Sequence, residues 1–286
     1  MRKSSYVRLS LALALTASLW IARTQTSAPP KLTIEKVKDN LYDVVGDGGN
    51  VGVLITPEGI ILIDDKYDRD HDAIMEQVKT VSSAPVKYVL STHHHEDHSG
   101  GNVKFLAMGT QIISTTNAHN NIVEHKQANA TPGMKPASIT FNQEMSLFLG
   151  GYEVRARYYG RGHTNGDAVM YFPSLRTVHT GDLMAGTSPL IDYPGGGSLV
   201  EWTKTLDGAL TLDFDTVIPG HGSVTNKAGL QTYRNNVEKL RTEVTAMVRQ
   251  GKSQDEVGKF MMSEYKWAPN SLNMQWSLPG MMTELR

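Results

Sequence analysis

The segment Ser91-Thr92-His93-His94-His95-Glu96-Asp97-His98-Ser99-Gly100-Gly101 packs four histidines and two carboxylates into six consecutive residues. Imidazole nitrogen and carboxylate oxygen are the donors that a cation such as zinc accepts. Alternating His93 and His95 aim at one point, whereas adjacent Asp97 and His98 turn toward another, so one short loop can feed two metal ions. Three later segments pair a histidine or aspartate with glycines: Gly160-Arg161-Gly162-His163-Thr164-Asn165-Gly166-Asp167, His179-Thr180-Gly181-Asp182 and Pro219-Gly220-His221-Gly222. Glycine permits the tight turns that bring backbone and side chain close to a buried ion. Each segment alone is a weak signal; four in order on one chain are a strong one. The chain has no cysteine, which excludes thiolate ligands, disulfides and a cysteine nucleophile and leaves nitrogen and oxygen to hold any metal.

These residues need a scaffold that brings them together. Short β-type runs at Leu32–Val37, Leu41–Val45, Val51–Thr56 and Ile60–Ile63, broken by Gly46, Gly48, Gly49 and Pro57-Glu58-Gly59, predict antiparallel hairpins. Apolar residues at helical spacing over Asp70–Val81 precede a compact strand at Val86–Leu90, which delivers the histidine-rich loop at its carboxyl end. Further along, the pattern predicts a helix from Asn102, strands at Ile112–Ser114, within Met145–Tyr159, at Ala168–Phe172 and at Thr177–His179, then helices over Ser198–Leu212, Leu230–Val248 and Gln254–Tyr265. Hairpins and βα units interleaved in this way imply a layered α/β domain.

The 286 residues, 40% hydrophobic and 20% charged, suffice for one substantial core. Lys plus Arg number 28 against 29 for Asp plus Glu, so the chain lacks the positive field that grips nucleic acid. Arg2, Lys3 and Arg8 precede an apolar run from Leu9 to Ala22, too short to span a bilayer comfortably, followed by the small residues Ser27 and Ala28. Residues 1–28 thus read as a secretory signal peptide and 29–286 as a single exported domain, periplasmic or secreted, with no stable membrane association once the signal is cleaved.

The His-x-His-x-Asp-His pattern at His93–His98, the glycine-flanked His163, Gly181-Asp182, Gly220-His221 and the strand end Leu62-Ile63-Asp64 resemble the metallo-β-lactamase superfamily over about residues 40 to 225. The resemblance implies a four-layer αβ/βα sandwich with the site at one edge between two sheets. It implies one zinc held by His93, His95 and His163 and a second by Asp97, His98 and His221, with Asp182 bridging; iron or manganese would accept the same donors. Asp64 falls where the family places an acidic residue that orients the metal loop. His94 and Glu96, between the ligands, point away as support. His179 reads as packing, and His71, His119 and His125 as solvated or core residues. Tyr193 is the candidate to reach over the site and polarise a substrate oxygen.

Two nearby cations lower the pKa of a shared water from about 15.7 toward neutrality and supply hydroxide without a nucleophilic side chain. Asp97 is then the residue that orients it, and the reaction is hydrolysis of an ester-like or amide-like carbonyl in a small molecule. No protein partner is implied. Among the neighbours the resemblance implies, the Thr92-His93-His94-His95 run and Asp182 look more like lactonases and glyoxalase II-like thioesterases, since the best-known zinc β-lactamases carry cysteine at the position of Asp182. Basic and aromatic residues for a glutathione tail are not recognisable after His221, and export favours molecules met outside the cytosol. The reading is therefore a β-lactam or lactone hydrolase, with thioesters as the alternative. Flavodiiron proteins use Glu where this chain has His95, and persulfide dioxygenases leave part of the second site vacant. A non-enzymatic metal-stabilised binding module is the rival of a different class.

Overall fold

Two sheets carry the apolar runs in the computed structural model, which describes residues 31–124, 133–186 and 188–286. The expected signal segment and His125 lie outside the described residues. The first sheet follows chain order: β1 (Thr33–Lys38), β2 (Leu41–Val45), β3 (Val51–Thr56), β4 (Gly59–Ile63), β5 (Val86–Leu90), β6 (Gln111–Thr115) and β7 (Ile139–Phe141). Its first four strands are antiparallel hairpins; from β4 to β7 the pairing is parallel. The second sheet runs in reverse order, β13 (Thr225–Asn226), β12 (Thr216–Ile218), β11 (Thr177–His179), β10 (Ala168–Phe172), β9 (Tyr152–Tyr158), β8 (Glu144–Leu149), antiparallel except between β11 and β12.

The period of two along β4 explains the layering. Ile61 and Ile63 face the second sheet, meeting Ala156, Met170, Phe172 and Ile218, whereas Ile60 and Leu62 face outward. That outer face is covered by α1 (His71–Lys79), which inserts Ile74 and Val78, and by Phe105; α2 (Glu96–Ser99) is a single turn between them and Phe105 belongs to α3 (Asn102–Ala107). A strand buried on both faces reads as a continuous apolar run, which is why Gly59-Ile60-Ile61-Leu62-Ile63 has no polar alternation.

On the far side, after α4 (Thr116–Val123), four helices bury the outer face of the second sheet: α5 (Leu199–Leu210), α6 (Lys227–Arg249), α7 (Gln254–Glu264) and α8 (Leu278–Glu284). Their starts are fixed by local chemistry. Ser198 accepts from the Glu201 amide, Asn226 from that of Gly229, and Ser253 with Glu256 forms a reciprocal capping box. Trp202 of α5 is fully buried and its indole donates to the Leu183 carbonyl (3.2 Å), locking α5 above the loop that carries Asp182. Helix, sheet, sheet, helix is the expected four-layer sandwich. Among the described residues no helix is long and apolar enough to cross a membrane.

Candidate metal centre

The loops that leave β4, β5, β9, β11 and β12 lie at one edge of the sandwich and bring the scattered motifs together, as ligand sites at strand carboxyl ends do in α/β folds. Ligand atoms of His93, His95, His163 and Asp182 fall within 4.8 Å of one another, and so do those of Asp97, His98 and His221. Asp182 lies between the two groups. Its Oδ1 is 3.2 Å from His98 Nε2 and 3.5 Å from His221 Nε2; its Oδ2 is 3.6 Å from His163 Nε2. All seven residues that the sequence singled out as ligands are therefore adjacent.

Each of four rings turns one nitrogen outward to a fixed acceptor. His93 Nδ1 donates to Thr92 Oγ1 (3.0 Å), His95 Nε2 to Asp192 Oδ2 (2.9 Å), His98 Nδ1 to Asp64 Oδ2 (2.7 Å) and His163 Nδ1 to the Leu190 carbonyl (2.6 Å). In a neutral ring, spending the N–H outward leaves the other nitrogen inward as a lone pair. The inward atoms are crowded: His95 Nδ1 is 2.9 Å from His163 Nε2, and His98 Nε2 is 3.2 Å from His221 Nε2. His93 Nε2 is buried without a hydrogen-bond partner. A buried lone pair facing others at these distances is the donor chemistry of a cation site, so the residues fit a metal centre.

Electrostatics keep two of these rings neutral and favour charge on a third. Burial and the neighbouring imidazoles hold His93 well below the usual histidine range, and burial with His95 lowers His163, so both rings are neutral donors. Burial opposes charge on His98 too, but the Asp182, Asp97 and Asp64 carboxylates outweigh it and raise that ring well above its ordinary value. Asp97, despite its burial, is pulled down to about 2 by His98 and His221 and stays ionised.

Asp64 sits at the end of β4 with φ of 64°, a left-handed conformation that costs a non-glycine residue roughly 1–2 kcal/mol. The turn aims its carboxylate at the loop after β5, where it accepts from Thr92 N (2.6 Å), Thr92 Oγ1 (2.7 Å) and His98. His94 lies between ligands as expected, taking a bond from Asn121 Nδ2 (3.3 Å) and standing 3.6 Å from Asp192. His179 is buried and packed; burial lowers it to about 4, and its Nδ1 accepts from the Gly181 amide.

One expectation is corrected. The Tyr193 hydroxyl donates to Glu284 Oε2 (2.8 Å), and its ring packs over Gly280, so the phenol ties down α8 instead of polarising a substrate oxygen. The residue in that segment that does serve the cluster is its neighbour Asp192, which sequence reasoning missed. The signal was present in Gly195-Gly196-Gly197: a Cβ on Gly195 or Gly197 would overlap Asp192 and the His163 carbonyl, so this run must lie flat against the site.

The loop between β2 and β3 was also unforeseen. Gly49 N donates to Asp97 O (3.0 Å), Asn50 N to Gly220 O (2.7 Å) and Asn50 Nδ2 to Gly222 O (2.7 Å), so the loop braces Asp97 and His221 together. A Cβ on Gly49 would overlap the His98 ring. Behind it, fully buried Lys66 donates to the Gly49 carbonyl, and burial lowers its amine to about 8. Buried Asp43 is raised to about 7, chiefly by desolvation. Because Asp43 ionises near 3.8 when unfolded, its contribution to stability is full below that pH and is lost as pH rises toward 7. Relative to Asp43→Asn, the wild type is expected to lose about 2 kcal/mol between pH 5 and 7. Urea midpoints of both proteins across that range check this; parallel pH curves would refute it.

An αβ/βα sandwich with a His/Asp cluster fitted to metal at one edge defines a class, and comparison with known proteins places the chain in it. Residues 44–221 match the sequence profile of the metallo-beta-lactamase superfamily, and the chain belongs to that family. It is 23% identical over 236 residues to a metallo-beta-lactamase type 2 of Elizabethkingia meningoseptica, covering 78% of this chain and 92% of that protein. It is 24% identical over 197 residues to the 2,4-dinitroanisole O-demethylase subunit alpha of a Nocardioides strain, covering 67% of this chain and 58% of that one. The crystal structure of the DIM-1 metallo-beta-lactamase superposes with a TM-score of 0.62 at 26% identity, covering 73% of this chain and 98% of the other.

Proposed function

We propose that the chain is an exported, dinuclear zinc hydrolase that opens a cyclic amide or ester, with β-lactams or lactones as the leading substrates. The observation that carries this reading is the division of inward-facing donors into two groups on either side of Asp182. His93, His95 and His163 would hold one ion, Asp97, His98 and His221 the other, and Asp182 would offer one carboxylate oxygen to each. When bound, such ions supply Lewis acidity, lowering the pKa of water toward neutrality and offsetting the negative charge that develops on a carbonyl oxygen under attack.

The chain's own residues do the positioning. Thr92, Asp192, Asp64 and the Leu190 carbonyl fix the four rings, so the inward nitrogens keep their direction through turnover. Asp97, ionised and at the edge of the cluster, would accept a hydrogen bond from the attacking water and hold it in line with the carbonyl. The basic start and apolar run of residues 1–28 support export, placing the enzyme where it meets small molecules from outside the cell.

The test is a panel of a chromogenic cephalosporin, a γ-lactone and an S-acyl thioester, assayed on the mature protein as purified, after chelation and after zinc is restored. Hydrolysis of the lactam or lactone that falls at least about a hundredfold on chelation and returns with zinc is the expected result. Preference for the thioester would shift the reading to the thioesterase side, and tightly held metal with no turnover of any member would favour a binding module.

A further inference from the structure

We infer that a cavity walled by Trp276 is the subsite for an uncharged aromatic arm of the substrate; this rests on the hydrolase reading above. The indole of Trp276 stands 5.9 Å, centroid to centroid, from the ring of His95, and it also borders a cavity of about 680 Å³. That volume lies within the range of small-molecule sites. Trp276 therefore belongs at once to the rim of the metal centre and to the wall of a neighbouring space, so a substrate whose scissile bond lies at His95 extends an arm along the indole.

The chemistry of the lining selects that arm. Pro194, Pro279, Gly196 and Gly197 present apolar or bare backbone surface. The polar side chains at the border each hold a partner, Arg161 with Glu201 (2.6 Å), Tyr193 with Glu284, Gln275 with the Asn270 carbonyl (2.9 Å) and Thr283 with the Pro279 carbonyl (3.1 Å), and so are turned in part away from the cavity. Glu284 itself receives Tyr193, the Ser198 hydroxyl and the Leu199 amide. A charged arm would lose hydration against the indole, the prolines and the bare backbone of this wall, whereas a flat aromatic group gains contact with them.

The wall is preorganised. Trp276 lies in a π-helical turn, Asn273–Ser277, whose ends are pinned to the loop that carries Leu190 and Asp192. Asn273 Nδ2 donates to the Pro189 carbonyl (2.8 Å), the Ile191 amide donates to Ser277 Oγ (2.8 Å), and Ser277 Oγ donates to the Ile191 carbonyl (3.1 Å). The same loop thus orients His95 and His163 and places the indole, coupling ring geometry to arm selection.

Benzylpenicillin and 6-aminopenicillanic acid share one lactam nucleus and differ in the phenylacetyl arm. Zinc-loaded wild type, Trp276→Ala, Trp276→Leu and Leu272→Ala, the last changing an exposed residue on the same segment, are compared by the ratio of kcat/KM for the two compounds and by saturable quenching of tryptophan fluorescence. The wild type and Leu272→Ala are expected to favour benzylpenicillin by at least about tenfold, falling below about threefold in both Trp276 variants, with the benzylpenicillin-specific quench lost. Trp276→Leu keeps apolar bulk and guards against a folding artefact. Equal ratios and equal quench in the wild type and the Trp276 variants would overturn the subsite. If no protein opens the lactam, the quench decides alone: present in the wild type and lost in both variants, it upholds the subsite while the lactamase reading fails; absent from the wild type, it overturns the subsite.

Discussion

His95→Ala and Asp97→Asn are each expected to lower turnover of the best substrate by at least about a hundredfold while leaving the far-ultraviolet circular dichroism of the wild type unchanged. His95 has two commitments: Nδ1 faces His163 Nε2 at 2.9 Å, and Nε2 donates to Asp192 at 2.9 Å. Alanine removes an inward donor from one group and leaves the Asp192 carboxylate with His94 and the Gly195 amide. Asp97→Asn keeps the shape but replaces an ionised oxygen, 3.1 Å from His221 Nε2, with a neutral amide that is a weaker ligand and a poorer hydrogen-bond acceptor. The fold is expected to persist because both residues lie at the edge of the sandwich, outside its three apolar layers. Near-normal hydrolysis by both purified variants would remove these residues from the catalytic machinery.

Gly220→Ala is expected to do comparable damage from a residue that bears no functional group. Its Cα lies against the turn that carries Asp182, and a Cβ there would overlap Asp182 Oδ1 and approach the carbonyl carbon of Gly181 to 2.6 Å. Relaxation is blocked from behind, since Gly220 N donates to the carbonyls of Gly181 and Met184, both at 2.9 Å, and Gly220 O accepts from Asn50 N. The carboxylate between the two groups is then the part that moves. We expect at least about a hundredfold loss of activity together with loss of bound metal, and a stability cost of roughly 1–3 kcal/mol from overpacking. Full metal content in a Gly220→Ala protein of wild-type activity would show that Asp182 is not held where the geometry places it.

The cluster was legible because its donors come in types and spacings that packing alone does not call for. His93, His95, Asp97 and His98 follow a short strand that ends on buried Val89 and Leu90, and His163, Asp182 and His221 each carry a glycine whose need is visible as a close approach. Strands such as β3, β5 and β10 were read at their observed limits because buried strands are short apolar runs bounded by turns. Helix α4 escaped notice because Thr116-Asn117-Ala118-His119-Asn120-Asn121-Ile122-Val123 has little apolar period; its fold depends on the Thr115 cap and on buried Asn121, which bonds Asn165 and the Gly195 carbonyl. Strands β7 and β12, three residues each, are too short to show a period. The partners that orient the rings were hidden for a different reason. Asp192 is 97 positions from His95, and nothing in a local window pairs them. Trp276 and the carboxyl-terminal turn reach the site through tertiary bonds such as those of Asn273, Ser277 and Glu284, which no local window shows.

Metal content is the most direct test of the account. The mature protein, loaded with zinc, dialysed and analysed by inductively coupled plasma mass spectrometry alongside hydrolysis of the same sample, is expected to hold two ions per chain, with activity that rises as the second is taken up. Full activity at one ion or none per chain would contradict the proposal that two groups of donors share Asp182.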